Sequence, residues 1–110
     1  MDEIIKKVID FRDERDWKQF HNAKDLAISL TLEASELLEN FQWKDSDSAI
    51  SKNLDNIQDE LADVLIYALL LAHDLDIDVE AAIFNKLKKN ETKYPVDKFK
   101  GSSRKYSEVE

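Results

Sequence analysis

Residues 57–75 read IQDELADVLIYALLLAHDL. Ile57, Leu61, Val64, Leu65, Ala68, Leu71 and Leu75 recur at helical spacing and form one stripe, while Ile66, Leu69 and Leu70 lie on other sides. The helix is therefore apolar over most of its circumference. An earlier stretch repeats the pattern: Leu26, Leu30, Ala34, Leu37 and Phe41 share one side, with Ile28 and Leu32 on another. A chain of 110 residues cannot by itself cover two helices that are apolar all round. The expectation is an all-α four-helix bundle that self-associates into a closed dimer or tetramer.

The remaining elements follow from these two helices. Upstream, Ile4, Ile5, Val8 and Phe11 predict a first helix from Asp2 to Arg15, followed by the aromatic connector Trp17-Lys18-Gln19-Phe20-His21. Asn22 is the expected N-cap of the second helix, which the pattern carries to Trp43. Lys44 to Ser51 is polar and reads as a loop, so the third helix is expected from Ser51 to Leu75. Asp78 can cap a fourth helix from Val79 to Tyr94, which Pro95 ends. Residues 1–95 thus read as one domain, and 96–110 as a mobile basic tail without periodicity.

Composition agrees with an all-α chain. One Gly and one Pro leave too few turn formers for a many-stranded β fold. The absence of Cys removes disulfides, thiolate zinc sites and cysteine nucleophiles. The N-terminus lacks a signal-peptide pattern, and the longest apolar run, Val64 to Ala72, is too short for a bilayer. A cytoplasmic protein without membrane partners is expected. The formal charge of −8 argues against a nucleic-acid binder. It is unevenly spread: residues 86–110 hold eight Lys/Arg against four Asp/Glu, and residues 1–85 hold eight against twenty.

Two pairs of acids interrupt the apolar helices, Glu33-x-x-Glu36 and Glu60-x-x-Asp63. Each pair spans one turn and projects from nearly one side, at the edge of its stripe. Unpaired carboxylates at a core margin are costly, so a cation should accompany them. Lys/Arg partners fit poorly, because between Lys24 and Lys86 only Lys44 and Lys52 are basic. A di-iron site would use Glu-x-x-His pairs, and neither pair contains histidine. Four carboxylates suit a hard dication, Mg²⁺ or Mn²⁺. The competing reading makes them ordinary seam charges of a non-catalytic helical oligomerisation or scaffold protein.

A dication with spare water sites points to phosphate chemistry. Lys86, Lys89 and Lys93, with Arg104 and Lys105 beyond, can then neutralise a polyphosphate. Trp17, Phe20, His21 and Trp43 lie outside the main stripes, and Tyr67 lies one turn beyond Asp63. Aromatics so placed can stack on a base or plug the bundle. Together these features point to a nucleoside triphosphate.

Glu33-x-x-Glu36 followed after 23 residues by Glu60-x-x-Asp63 resembles the signature of the MazG-like all-α NTP pyrophosphohydrolases. Residues 11–21, Phe41-Gln42-Trp43-Lys44, Lys93-Tyr94-Pro95 and Lys105-Tyr106 are similar to the dCTP pyrophosphatase branch. The resemblance implies a Mg²⁺-dependent enzyme converting (deoxy)nucleoside triphosphates to monophosphate and pyrophosphate, built as dimers or tetramers. It implies Glu33, Glu36, Glu60 and Asp63 as metal ligands; a carboxylate not fully used in ligation, Glu33 or Glu36, is then the expected base that takes the proton of the attacking water. It further implies a nucleotide pocket of Trp17, Phe20, His21, Trp43 and Tyr67, Asn90 near the base, and Lys93, Arg104 and Lys105 near the phosphates. Animal members of that branch carry a histidine where this chain has Val8, so dCTP preference does not follow.

Overall fold

The computed structural model describes residues 1–104. Among them, helices α1 (Asp2–Glu14), α2 (Ala23–Glu39), α3 (Ser46–Asp74), α4 (Val79–Lys93) and α5 (Val96–Phe99) are joined by turns, with a 3₁₀ segment at Trp17–Phe20 and no strand. Lys105 lies outside the described residues. The chain divides into two compact units, Met1–Ile77 and a second beginning at Asp78.

Side-chain caps explain most helix starts. Asn22 accepts from the Asp25 amide at 2.8 Å and opens α2, as its sequence position suggests. Asp78 does the same for α4 through the Ala81 amide at 3.1 Å. The third cap corrects the expected loop at 44–51. Asp45 accepts from the Ser48 amide at 2.8 Å, so α3 begins at Ser46. The Asp/Ser cluster there is a cap rather than a connection.

α2 also ends earlier than expected, at Glu39 instead of Trp43. Asn40 turns its amide back onto the carbonyls of Glu36 and Leu37, and the chain tightens into three-residue bonds, Phe41 N–H to Leu38 and Gln42 N–H to Glu39. Trp43 closes this turn with φ of 63°, a left-handed conformation that costs a bulky residue about 1–3 kcal/mol. The tail is corrected as well. After Pro95 the chain forms α5, and Phe99 packs edge-on against Tyr94 at 4.9 Å.

Within the first unit α2 lies against α3, and their contacts run antiparallel: Asn40 meets Asn53 and Asn56 near one end, and Glu33 and Glu36 meet Glu60 further along. α3 is irregular at Asn53 (φ −120°, ψ 17°), whose side chain donates to the Asn40 carbonyl at 2.9 Å. Asn56 donates to the Asn40 Oδ1 at 2.8 Å. These amides bind the end of α2 to the kink of α3.

Among the described residues the buried apolar ones are Leu26, Ala49, Leu69, Leu70 and Ala72. Leu69 and Leu70 fall outside the stripe read from sequence, because α1 as well as α2 packs on α3. Several stripe and off-stripe residues stay exposed, including Ile28, Leu32, Leu54, Leu61 and Leu65. Among the described residues no helix is long and apolar enough to cross a membrane.

Candidate metal centre and adjoining cavity

The antiparallel pairing of α2 and α3 brings one carboxylate oxygen from each of Glu33, Glu36 and Glu60 within 4.8 Å of one another. Glu33 and Glu60 are half-buried and Glu36 is exposed. The Oε2 atoms of Glu33 and Glu60 are enclosed and have no hydrogen-bond partner. Among the described residues, no Lys or Arg forms an ion pair with any of the three.

The electrostatics follow from this crowding. Burial, then the neighbouring Glu36, Asp63 and Glu60, push the Glu33 carboxyl up to about 7. Glu60 is raised for the same first reason. Tyr67 is raised by burial and by the charges of Glu33, Asp63 and Glu36, which keeps its hydroxyl protonated. Enclosed carboxylate oxygens without donors are the arrangement that a cation completes. The donors are all oxygen, which fits a hard dication.

Asp63 is half-buried one turn after Glu60, outside the group of three. It faces a neighbouring cavity of about 190 Å³ that Trp17, His21 and Tyr67 also line. Three of the aromatic candidates are thus brought together, and Asp63 borders both features. The His21 Nδ1 is enclosed without a partner. Val8, the position read as departing from the animal branch, lines the same cavity.

Two other candidates of the first unit are placed elsewhere. Phe20 is 68% exposed and Trp43 is 94% exposed, and neither lines this cavity. Asn90 and Lys93 sit on α4 in the second unit. Arg104 follows α5, where its backbone amide and Nε donate to the Ser102 hydroxyl at 3.2 and 3.4 Å.

Two charged residues of the first unit escaped the sequence reading. Arg12, 1% exposed, donates through both terminal nitrogens to Asp74, each at 2.7 Å. Their signal was present: Arg12 continues the Ile5, Val8, Ile9 register of α1, and Asp74 follows Leu70 and Leu71 by four and three residues. A charge at an apolar register position marks a buried partner.

Comparison with known proteins adds relatives across nearly the whole chain. Residues 28–109 match the MazG-like family. The chain is 37% identical to dCTP pyrophosphatase 1 of Rattus norvegicus, over 99% of this chain and 67% of that protein. It is 36% identical to dCTP pyrophosphatase 1 of Homo sapiens, with the same coverage. A crystal structure of a pyrophosphatase from Archaeoglobus fulgidus superposes with a TM-score of 0.82 at 40% identity, covering 86% of this chain and 92% of that one.

Proposed function

We propose, since the chain belongs to the MazG-like family and is a nucleoside triphosphate pyrophosphatase, that it hydrolyses (deoxy)nucleoside triphosphates to monophosphate and pyrophosphate with Mg²⁺. Such an activity would clear unwanted nucleotides from the cytoplasmic pool. The observation that carries this reading is the convergence of Glu33, Glu36 and Glu60 with two enclosed, unpartnered oxygens.

In this reading Glu33, Glu36, Glu60 and Asp63 hold the dication, and Mn²⁺ is an acceptable substitute. When bound, the ion neutralises triphosphate oxygens and acidifies water at the α-phosphorus. Glu33 or Glu36 accepts the proton of the attacking water. Trp17, His21 and Tyr67 receive the base in the cavity, with Tyr67 offering a hydroxyl donor beside Asp63. Phe20, Trp43, Asn90, Lys93, Arg104 and Lys105 are assigned to substrate on the resemblance alone. Residues 1–95 form the catalytic domain and the basic segment after them serves the phosphates.

The exposed Ile28, Leu32, Leu54, Leu61 and Leu65 support a homodimer or homotetramer, because one chain leaves this surface in water. The deciding experiment incubates purified protein with Mg²⁺ and a panel of canonical and modified triphosphates, resolving products by chromatography. Pyrophosphate and monophosphate are expected. Inertness across the panel, or release of orthophosphate, contradicts the assignment.

A further inference from the structure

The cavity is bordered by Arg12, one member of a charge pair that the proposed chemistry does not use. Arg12 and Asp74 are 62 residues apart, and their two 2.7 Å bonds tie α1 to the last turn of α3. Val8, Phe11 and Arg12 of α1 form one wall of the cavity, and Asp63, Tyr67 and Leu70 of α3 form another. Trp17 extends the α1 wall: it meets Phe11 edge-on at 5.8 Å, and the Arg15 guanidinium lies 3.7 Å over the Phe11 ring. The pair thus joins both walls of one small space.

Stability alone is a weak reason for such a pair. Two charges lose hydration on burial, and apolar residues of similar volume often serve as well or better. What an apolar pair lacks is direction. A guanidinium fork on a carboxylate fixes one separation and one register between the elements that carry it. The cavity, at about 190 Å³, is also smaller than the roughly 300–1,000 Å³ of ordinary small-molecule pockets. It is of a size for a base rather than a whole nucleotide, so the spacing of its walls bears on how a base is held.

We infer that Arg12 and Asp74 are positioning residues that latch the α1 wall to the α3 wall and so set discrimination between single-ring and fused-ring bases. The inference rests on the reading that this cavity receives the nucleobase. Neither residue need touch the reacting atoms. Loosening the latch should therefore change KM and base selectivity more than kcat.

The test compares wild type, Arg12→Lys and the double variant Arg12→Met/Asp74→Leu on the four standard deoxynucleoside triphosphates. Steady-state kcat and KM are measured with melting curves. Wild type should favour single-ring substrates. The double variant should melt at or above wild type, yet its single-ring over fused-ring ratio of kcat/KM should fall by about tenfold, the lower range of what pocket fit provides. Arg12→Lys, keeping charge without the fork, should lie between. If the double variant does not fold, Asp74→Asn is read by the same ratio. A folded variant with the wild-type ratio, or a fall in kcat at constant KM, overturns the latch. A wild type that accepts both ring sizes equally also overturns it while leaving the pyrophosphatase reading intact. A wild type inert to all four overturns that reading, and the latch with it.

Discussion

Two groups of charge meet on α3, and they are resolved in opposite ways. At its C-terminal end Asp74 meets Arg12, and each guanidinium terminal nitrogen has a carboxylate oxygen at 2.7 Å. Further back, Glu60 meets Glu33 and Glu36 with no basic group among them. The first group pairs its opposite charges within the chain, leaving only the enclosed Arg12 Nε without a partner, and its carboxyl is held below the usual range by the Arg12 hydrogen bonds. The second is incomplete, and its carboxyls are pushed up by burial and by each other. The contrast separates charge paired within the fold from charge that the proposed cation would pair.

The sharpest break in that comparison is Glu60→Gln, which removes one charge from the incomplete group. Turnover should fall by about 10²–10³-fold or more, the scale for losing one group that stabilises developing charge. Far-ultraviolet circular dichroism should stay helical. A variant with near-normal turnover would show that Glu60 is a seam charge.

Breaking the paired group should instead cost stability. Arg12→Ala leaves Asp74 without its partner, at about 3–5 kcal/mol by the precedent of buried pairs, read from denaturant unfolding. The pH dependence has a definite sign. Because the folded pKa of Asp74 lies below its unfolded value near 3.9, the contribution is present above about pH 4 and is lost as pH falls through the folded value. The Arg12→Ala and wild-type stability curves should therefore converge in acid.

The incomplete group predicts the reverse. Glu33 rises from about 4.3 unfolded to about 7 folded, so without metal the folded state binds the extra proton and stability falls as pH rises between those values. In a chelator the melting temperature should be higher at pH 5.5 than at pH 8. Mg²⁺ at a hundredfold excess over its Kd should add about 2.7 kcal/mol, chiefly at the higher pH, and Glu60→Gln should abolish the gain. A smaller effect is expected from Asn40→Ala, which leaves the Asn53 bond to the residue-40 carbonyl in place but frees the Asn56 amide, at a cost of about 1–2 kcal/mol in unfolding free energy.

The parts legible in the sequence are those governed by neighbours within a few residues. Asn22 and Asp78 announce their helices because a cap acts over three residues. The carboxylate pairs are legible because one turn separates their members. Contacts across the fold were not. The end of α2 and the kink of α3 depend on Asn40 meeting residues 13 and 16 positions later. The same polar run that suggested a loop at 44–51 is a cap once Asp45 is seen to accept from Ser48. Arg12 and Asp74 each stand at an apolar register position, but 62 residues separate them and only the fold makes them partners. The surplus of apolar surface was legible, since two helices are apolar on more sides than one chain can cover.

The claim on which the account turns is that the incomplete carboxylate group is completed by a divalent cation. Anomalous diffraction from crystals equilibrated with Mn²⁺ tests it most directly. The account predicts a peak bonded to oxygens of Glu33, Glu36 and Glu60, with Asp63 on the ion or on its water. Crystals in which Mn²⁺ binds elsewhere, with these carboxylates bonded to one another through shared protons, would contradict it.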